Sequence, residues 1–200
     1  MSDARTLNYY NSNAAVFSEN TKNVDFSEVQ QIFTNQLSPD ASILDFGCGS
    51  GRDTRYFIDH GYHVTATDGS EMICKMATKY TGIQVKQMLF EELDDRNQYD
   101  GIWACASILH LSREELPDIF HKMHQALKKN GIIYTSFKYG TVEGERNGRY
   151  FTDFTEEMFE KFARQISGLQ IEKMWITGDV REGRGDERWL NILLRKKDIC

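Results

Sequence analysis

The sequence predicts an α/β fold in which helices cover a doubly wound, seven-stranded, mostly parallel sheet. Short apolar runs of strand length alternate with amphipathic helical segments through most of the 200 residues, which is typical of a parallel sheet. The last two predicted strands, 169–177 and 189–194, are separated only by a loop. Because a parallel return would need a crossover, these two strands are expected to pair antiparallel.

The other elements follow from hydrophobic periodicity and from turn residues. Residues 1–22 are polar with interspersed aromatic side chains and form either a loose arm or a flap over a neighbouring site. Residues 25–37 have the spacing of a helix, and residues 40–195 are expected to form the core. Earlier strands are predicted at 43–46, 63–67, 84–89, 100–105 and 132–137. Further helices are predicted at 52–60, 70–80, 112–129 and 155–167, with polar loops at 138–153 and 178–188; Asn130-Gly131 is expected to end the helix that begins near 112.

The composition indicates one soluble domain, residues 1–200. The chain is 40% hydrophobic and 27% charged, and its two prolines leave little room for a linker. It has no apolar run of membrane length and no secretory start, and its four cysteines are scattered, so a reducing cytoplasm and no metal site are expected. The net charge of -6 argues against a dedicated nucleic-acid binder. A monomer or a homodimer that binds neither nucleic acid nor membrane is expected.

A glycine-rich turn follows the first predicted strand. Gly47, Gly49 and Gly51 alternate with other residues, and a helical segment comes next. Such a turn presents backbone N–H groups and the positive end of a helix dipole to a ligand. Asp68 lies just past the second strand, where an acid suits the hydroxyls of a ribose. The two features together indicate a nucleotide-like cofactor.

The spacing of the glycines separates the possible cofactors. A dinucleotide fingerprint places glycines at the first, third and sixth positions, but the sixth position counted from Gly47 is Arg52. The lysine of a phosphate-binding P-loop is also missing. The stretch from Leu44 to Gly51 resembles the first motif of the class I S-adenosylmethionine-dependent methyltransferases, hydrophobic-Asp-x-Gly-x-Gly-x-Gly, and Asp68 resembles their second-strand acid.

This resemblance implies a sheet order of 3-2-1-4-5-7-6 with the last strand antiparallel, a Rossmann-like methyltransferase fold. The implied cofactor is S-adenosyl-L-methionine, with S-adenosyl-L-homocysteine as its product. The chain is similar in size to small, tellurite-resistance-type methyltransferases. In such enzymes an N-terminal tyrosine often closes over the cofactor, which favours the flap. The expected cofactor-binding residues are Tyr10, Asp45, Gly47, Cys48, Gly49, Asp68, Gly69, Met72, Leu89, Phe90 and Cys105.

Some of these expected contacts have alternatives. Met72 is placed near the adenine or is simply an inward-facing helix residue. Many of the resembling enzymes carry an Asp after the third strand, whereas this chain has Leu89, so backbone around Leu89 and Phe90 is expected to contact the adenine. Cys48 and Cys105 suggest a metalloid acceptor, but they also suit positions that need small buried side chains.

Acceptor-binding residues are expected on the loops that follow the strands. Methyl transfer from a sulfonium needs alignment of donor and acceptor, and needs a base only if the acceptor must lose a proton. If a base is used, His110 is the first candidate; its alternative role is packing. The basic loops are either solvated or line a pocket for a small carboxylate or phosphate, with Arg149 as the first choice. The expected acceptor-binding residues are Lys138, Arg149, Tyr150 and Arg181.

The predicted function is therefore methyl transfer to a small molecule. Alternatives are a non-catalytic S-adenosylmethionine-binding regulator, a nucleotide-dependent oxidoreductase, and an RNA or protein methyltransferase. Enzymes that methylate base amino groups would carry an Asn/Asp-Pro-Pro-aromatic motif after the fourth strand. Here that place reads Ala104-Cys105-Ala106-Ser107, which disfavours such an activity.

Overall fold

The computed structural model describes residues 4–181 and 183–197. Seven strands form one sheet, and the other two form a separate hairpin. The strands, in chain order, are β1 Ser42–Phe46, β2 His63–Asp68, β3 Lys86–Gln87, β4 Tyr99–Ala104, β5 Leu127–Lys138, β6 Glu143–Arg146, β7 Arg149–Thr152, β8 Leu169–Gly178 and β9 Arg188–Lys196. The helices are α1 Ala4–Thr21, α2 Ser27–Thr34, α3 Arg52–Asp59, α4 Glu71–Thr81, α5 Leu116–Ala126 and α6 Glu156–Ala163.

The order of the main sheet is β3-β2-β1-β4-β5-β9-β8. The pairs β1–β2, β2–β3, β1–β4 and β4–β5 are parallel, and β9 is antiparallel to both β5 and β8. The predicted order is confirmed, with β8 and β9 as the sixth and seventh strands of the main sheet. The order reverses at β1, so the carboxyl ends of β1 and β4 open the crevice in which doubly wound sheets bind ligands.

Side chains alternate between two buried faces of the sheet. Leu44 and Ile102 point to the face that packs on α5 and α6. Ile43, Trp103 and Tyr134 point to the other face, where α2 and α3 pack. Both faces of the central strands are therefore core, which explains why those strands are almost wholly apolar in sequence.

Helix α1 replaces the predicted arm or flap of residues 1–22; residues 1–3 lie outside the described residues. Asn11 ties α1 to the start of α4, since its Oδ1 accepts hydrogen bonds from Ser70 Oγ (2.7 Å) and Met72 N (3.3 Å). On the other side, Tyr150 N of β7 donates to Thr6 Oγ1 (3.0 Å). Polar side chains as well as apolar ones hold this helix in place. Its hydrophobic periodicity in the sequence is therefore weak, and the periodicity alone did not predict a helix.

The predicted helix stop at Asn130-Gly131 is wrong. Helix α5 ends at Ala126, and β5 begins at the next residue. The pairing of β5 with β4 is interrupted between Tyr99 and Gly101, and Asn130 has a positive φ of 62°. Asn-Gly therefore marks an irregularity inside a long strand, where a left-handed residue is also needed.

The predicted polar loop 138–153 contains the hairpin β6–β7. Its turn residues, Asn147 and Gly148, both have positive φ (53° and 75°), as a type I′ turn requires. Asn-Gly between two short runs is a strong hairpin signal, and the prediction missed it because the flanking runs are polar. The third strand is also shorter than predicted, two residues in place of 84–89.

Within the described residues, no helix has the length and apolar character needed to cross a membrane.

Candidate cofactor and acceptor site

A cavity of about 560 Å³ lies at the carboxyl ends of the central strands. Its walls come from the turn after β1, the loops after β2, β4 and β5, the β8–β9 loop, α1 and the β6–β7 hairpin. The predicted site residues that line it are Tyr10, Gly47, Cys48, Gly49, Asp68, Gly69, Leu89, Phe90, Cys105, His110, Lys138, Arg149 and Arg181. The chain thus brings most of the predicted cofactor and acceptor residues to one cavity.

The glycine turn is bent by left-handed backbone. Gly47 has a φ of 84° and its N–H donates to the carbonyl of Thr67 (2.9 Å), which joins the turn to β2. A Cβ on Gly47 would lie 2.5 Å from Ser107 Cβ, so the turn and the loop after β4 approach more closely than a side chain permits. Gly51, with a φ of 81°, occupies the N-cap of α3. The turn therefore aims the start of α3 at the cavity.

Asp68 closes the turn from the side of β2. Its Oδ2 accepts a hydrogen bond from Gly49 N (3.0 Å) and its Oδ1 accepts one from Ser70 N (2.9 Å). Burial raises the pKa of Asp68 to about 6, although the two N–H donors act to lower it. No cation of the described residues pairs with Asp68, so each carboxylate oxygen keeps acceptor capacity toward the cavity. A carboxylate held in this way fits a pair of ribose hydroxyls.

Asp45 lies beneath the turn and outside the residues that line the cavity. The side chain is buried, and Thr54 Oγ1 donates to its Oδ2 (2.5 Å), which fastens α3 to β1. Burial, with the neighbouring carboxylate of Asp53, raises the pKa of Asp45. Asp53 itself stays ionised because Arg52 binds both of its oxygens (2.8 and 2.9 Å). The structure therefore gives Asp45 a supporting position, which differs from the expected cofactor contact.

Replacing Asp45 with Asn is expected to change the free energy of unfolding by less than about 1 kcal/mol at neutral pH, because the buried carboxyl is already uncharged. Asp45→Ala should cost about 1–3 kcal/mol, since the Thr54 hydroxyl loses its partner. The folded carboxyl keeps its proton to a higher pH than the unfolded one, so the wild type loses stability as pH rises through that interval. Urea unfolding across pH should show that the free energy of unfolding falls with rising pH in the wild type and not in D45N. A free energy of unfolding much lower in D45N than in the wild type at neutral pH would contradict an uncharged, supporting Asp45.

Two other predicted residues also lie outside the cavity lining. Met72 is on the outer side of α4 and 42% exposed, so it neither lines the cavity nor packs inward. Tyr150 contributes its backbone: its carbonyl oxygen accepts a hydrogen bond from His110 Nδ1 (2.6 Å), while its hydroxyl donates to Glu143 (2.9 Å). Alternating side chains along β7 turn Tyr150 away and its two neighbours toward the cavity.

His110 ends a short 3-10 segment after β4. A carbonyl can only accept, so the bond to Tyr150 fixes the proton on Nδ1 and leaves a lone pair on Nε2. Tyr10 Oη of α1 lies 2.9 Å from Nε2 and donates to it. Burial lowers the pKa of His110 to about 4, and Arg149 and Arg146 act in the same direction. The imidazole is therefore neutral at physiological pH and presents an acceptor nitrogen to the cavity.

Arg149 is held by aromatic rings. Its guanidinium carbon lies 4.4 Å from the centre of the Tyr9 ring and 5.0 Å from that of Phe151. Its Nη1 lies 3.4 Å from Tyr10 Oη, and its Nε is buried without a hydrogen-bond partner. In the described part of the chain, no carboxylate pairs with Arg149.

The other cavity-lining cations all have a carboxylate close by. The ion pairs are Arg52–Asp53 (2.8 Å), Arg181–Asp179 (2.8 Å from Nε to Oδ1), Arg184–Glu187 (3.5 Å), Lys138–Glu187 and Arg146–Asp153. Lys138 and Arg181 are thus occupied within the protein, although both line the cavity as predicted. Among the described cavity-lining cations, Arg149 is the one whose charge is left uncompensated.

The sequence did not reveal which residues of α1 cover the turn. A Cβ on Gly49 would lie 3.2 Å from the ring of Phe17, and one on Gly69 would lie 2.8 Å from Leu7. Leu7, Tyr10 and Phe17 recur at intervals of three and seven residues, which places them on one face of a helix. That spacing was the available signal for a covering helix.

Cys48 and Cys105 both line the cavity, and burial raises the pKa of each thiol, to about 12 for Cys105. Both thiols are protonated at neutral pH, which favours their interpretation as small buried side chains. Within residues 4–181 and 183–197, no three His, Cys, Asp or Glu side chains are placed to hold one metal ion.

S-adenosylmethionine fits this cavity on three counts: its volume, the uncompensated Asp68 carboxylate, and the glycine turn that directs the start of α3 toward it. With the sheet order, these features resemble those of the class I S-adenosylmethionine-dependent methyltransferases. A family model described as a methyltransferase domain matches residues 43–131 of the chain. The match, the sheet order and the site together support a class I S-adenosylmethionine-dependent methyltransferase.

Known proteins of similar sequence and structure include S-adenosylmethionine-dependent methyltransferases. Phosphoethanolamine N-methyltransferase of Plasmodium falciparum is 27% identical over 129 residues, 61% of this chain and 48% of that enzyme. The crystal structure of a Burkholderia thailandensis 1,6-didemethyltoxoflavin-N1-methyltransferase, with 1,6-didemethyltoxoflavin and S-adenosylhomocysteine bound, aligns with a TM-score of 0.77 at 21% identity, covering 98% of this chain and 88% of that chain. TehB of Haemophilus influenzae aligns with a TM-score of 0.71 at 19% identity, covering 90% and 66%. The chain spans about half the length of the first curated relatives it matches, 48–58%.

Proposed function

We propose that this protein transfers the methyl group of S-adenosylmethionine to a small-molecule acceptor. The observation that carries the proposal is the single cavity that joins the glycine turn and Asp68 to His110 and Arg149. Helix α1 contributes Tyr10 and Phe17 to the wall of this cavity, and the β6–β7 hairpin contributes Arg149 and Phe151. A cavity of about 560 Å³ suits a cofactor with a small acceptor better than it suits a macromolecule.

The residues divide the work by their position. Asp68 would accept hydrogen bonds from the ribose hydroxyls, the glycine turn would let the methionine part approach the backbone, and Gly69 and Leu89 would contact the adenine. When bound, S-adenosylmethionine supplies an electrophilic methyl group attached to a good leaving group. His110 Nε2 takes a proton from the acceptor, and Tyr10 and Phe17 of α1 exclude water from the reacting atoms.

Structural neighbours support a small acceptor without identifying it. The Burkholderia thailandensis enzyme is described as a 1,6-didemethyltoxoflavin-N1-methyltransferase, and it matches almost the whole of this chain in fold. The acidic net charge of -6 argues against a dedicated nucleic-acid binder. A monomer or homodimer acting in the cytoplasm remains the prediction from sequence.

Incubating the protein with methyl-labelled S-adenosylmethionine and a metabolite extract tests this function. Label is expected in one or a few small molecules, at a level above that of the heat-treated protein. Cofactor binding in calorimetry with no transferred label would favour the alternative, a regulator that binds S-adenosylmethionine without turnover. Absence of cofactor binding would refute both.

Replacing Asp68 with Asn is expected to weaken cofactor binding by about 10- to 100-fold, because the ribose hydroxyls lose a charged acceptor. The wild-type affinity should also fall as pH drops below about 6, since protonation of Asp68 removes the same carboxylate. Calorimetric titration of wild type and D68N across pH measures the effect of Asp68 protonation on cofactor affinity. Ionisation of the ligand affects both proteins equally, so it cancels in the ratio of their affinities. Asp59→Asn, an exposed carboxylate on α3, is the control. Equal affinities for wild type and D68N would remove Asp68 from the site.

A further inference from the structure

The charge of Arg149 is available to a ligand. Four of the other cations lining the cavity form ion pairs of ordinary contact distance or closer with Asp53, Asp179, Glu187 and Asp153. Arg149 contacts only π-faces and one phenol oxygen, and its buried Nε has no partner. A partly buried guanidinium without a counter-charge attracts an anion and repels a cation.

His110 presents a second group with a fixed role. Its Nδ1–H is committed to the carbonyl of Tyr150 at 2.6 Å, so Nε2 can only accept. Tyr10 Oη lies within reach of both Nε2 (2.9 Å) and Arg149 Nη1 (3.4 Å). The phenol therefore marks the place where an acidic O–H or N–H would lie between a proton acceptor and a cation.

The basicity of His110 limits what it can deprotonate. With its pKa near 4, His110 is a weak base in the folded protein. An alkylammonium ion holds its proton too tightly for such a base, and an aliphatic alcohol is less acidic still. Acids whose conjugate anion is delocalised over a ring lose a proton much more readily.

The walls around this place suit a flat ring. The ring centre of Phe151 lies 4.8 Å from that of His110, and the ring centre of Tyr10 lies 5.5 Å from it. Phe17 and Trp189 also line the cavity. Aromatic walls contribute area and stacking to a planar ligand and little to a small aliphatic one.

We infer that the acceptor is a planar conjugated molecule with an acidic ring N–H or ring-attached O–H, that it displaces the Tyr10 hydroxyl from His110, and that it is methylated as the anion held by Arg149. This inference rests on the proposed function and deepens it. Alkylammonium acceptors are excluded by the same two residues.

The step is balanced without a further reactant. The acceptor gives its proton to His110 Nε2, and the electron pair left on the acceptor nitrogen or oxygen forms a bond to the methyl carbon. The bond between that carbon and the sulfonium sulfur breaks, and its electron pair remains on sulfur, which becomes the neutral thioether of S-adenosylhomocysteine. The proton on His110 then passes to solvent, and Arg149 loses its anion when the neutral product forms.

Binding of 4-nitrophenol to the protein saturated with S-adenosylhomocysteine tests this inference without turnover. At a pH below the pKa of the free probe, the bound probe is expected to show the absorbance of the phenolate. Xanthine, an acidic ring N–H compound, is expected to compete for the site. Benzylamine, a ring that carries an alkylammonium group, is not. Arg149→Gln should weaken 4-nitrophenol binding by about 10- to 100-fold and abolish the phenolate signal, while Arg149→Lys should retain part of both.

The controls separate this inference from the proposed function. Arg55→Gln removes an exposed arginine of α3 and should bind 4-nitrophenol as the wild type does. Binding of S-adenosylhomocysteine, measured in the same samples, checks that each variant is folded. The inference fails if benzylamine binds as tightly as the acidic rings, if neither acidic ring binds, if the bound probe stays protonated, or if R149Q binds like the wild type. Failure of S-adenosylhomocysteine to bind the wild type would instead refute the proposed function.

Discussion

Replacing His110 with Gln is expected to lower kcat for the acceptor found by labelling by about 10²- to 10⁴-fold, the range contributed by a positioned general base. Glutamine can fill the space and keep a polar contact with Tyr10, but its amide cannot take a proton. The affinity for S-adenosylmethionine should stay close to that of the wild type, because His110 contacts the cavity through Nε2 on the acceptor side. Single-turnover rates with saturating cofactor measure the effect directly.

His121→Gln provides the matched control for that experiment. His121 lies exposed on α5 and contacts Gln125 of the same helix, so its replacement should leave the rate unchanged. A rate in H110Q within a few fold of the wild type would mean that the acceptor reacts without loss of a proton to the protein. In that case alignment by the cavity walls would account for the catalysis.

Replacing Gly47 with Ala is expected to lower the free energy of unfolding by about 2–5 kcal/mol. The left-handed φ of 84° costs a residue with a Cβ about 1–2 kcal/mol. The new methyl group would also start 2.5 Å from Ser107 Cβ, and such overpacking costs about 1–3 kcal/mol. Ser107 cannot easily retreat, because its hydroxyl donates to the Phe46 carbonyl (2.7 Å) at the end of β1.

Gly82→Ala isolates the backbone part of this loss. Gly82 ends α4 with a φ of 80°, and no atom lies within 4 Å of the position its Cβ would take. Urea unfolding should therefore give a loss of about 1–2 kcal/mol for G82A and a clearly larger one for G47A. Equal losses would show that the loop after β4 moves aside at no cost.

The sheet and the glycine turn could be predicted because local chemistry determines them. A loop too short for a crossover required β8 and β9 to pair antiparallel, and the resemblance to class I methyltransferases implied that β9 lies between β5 and β8. The three glycines required left-handed backbone after β1, and each of them has a positive φ. Asp68 was predictable for the same reason, since its carboxylate comes at the end of the strand next to β1.

The orientation of side chains beyond those elements depends on tertiary contacts. The position of Asp45 in the motif does not reveal that its carboxyl turns down to Thr54. Likewise, nothing in the sequence near Arg149 shows that each of its cationic neighbours has a carboxylate and that Arg149 has none. Asn130 and Asn147 are both followed by glycine, yet Asn130 lies within a strand and Asn147 lies in a hairpin turn. The pairing of the flanking strands determines which of these two structures an Asn-Gly pair adopts.

The β6–β7 hairpin forms part of the cavity wall outside the main sheet, although in sequence it lies between β5 and α6. It pairs only with itself and not with the main sheet, yet it supplies Arg146, Asn147, Arg149 and Phe151 to the cavity wall. The turn after β1 and Asp68, the expected cofactor-binding elements, lie at the carboxyl ends of β1 and β2 in the main sheet. Exchange of this hairpin would alter the cavity wall without altering the strand pairing of the main sheet, although Phe151 of β7 also belongs to the hydrophobic core.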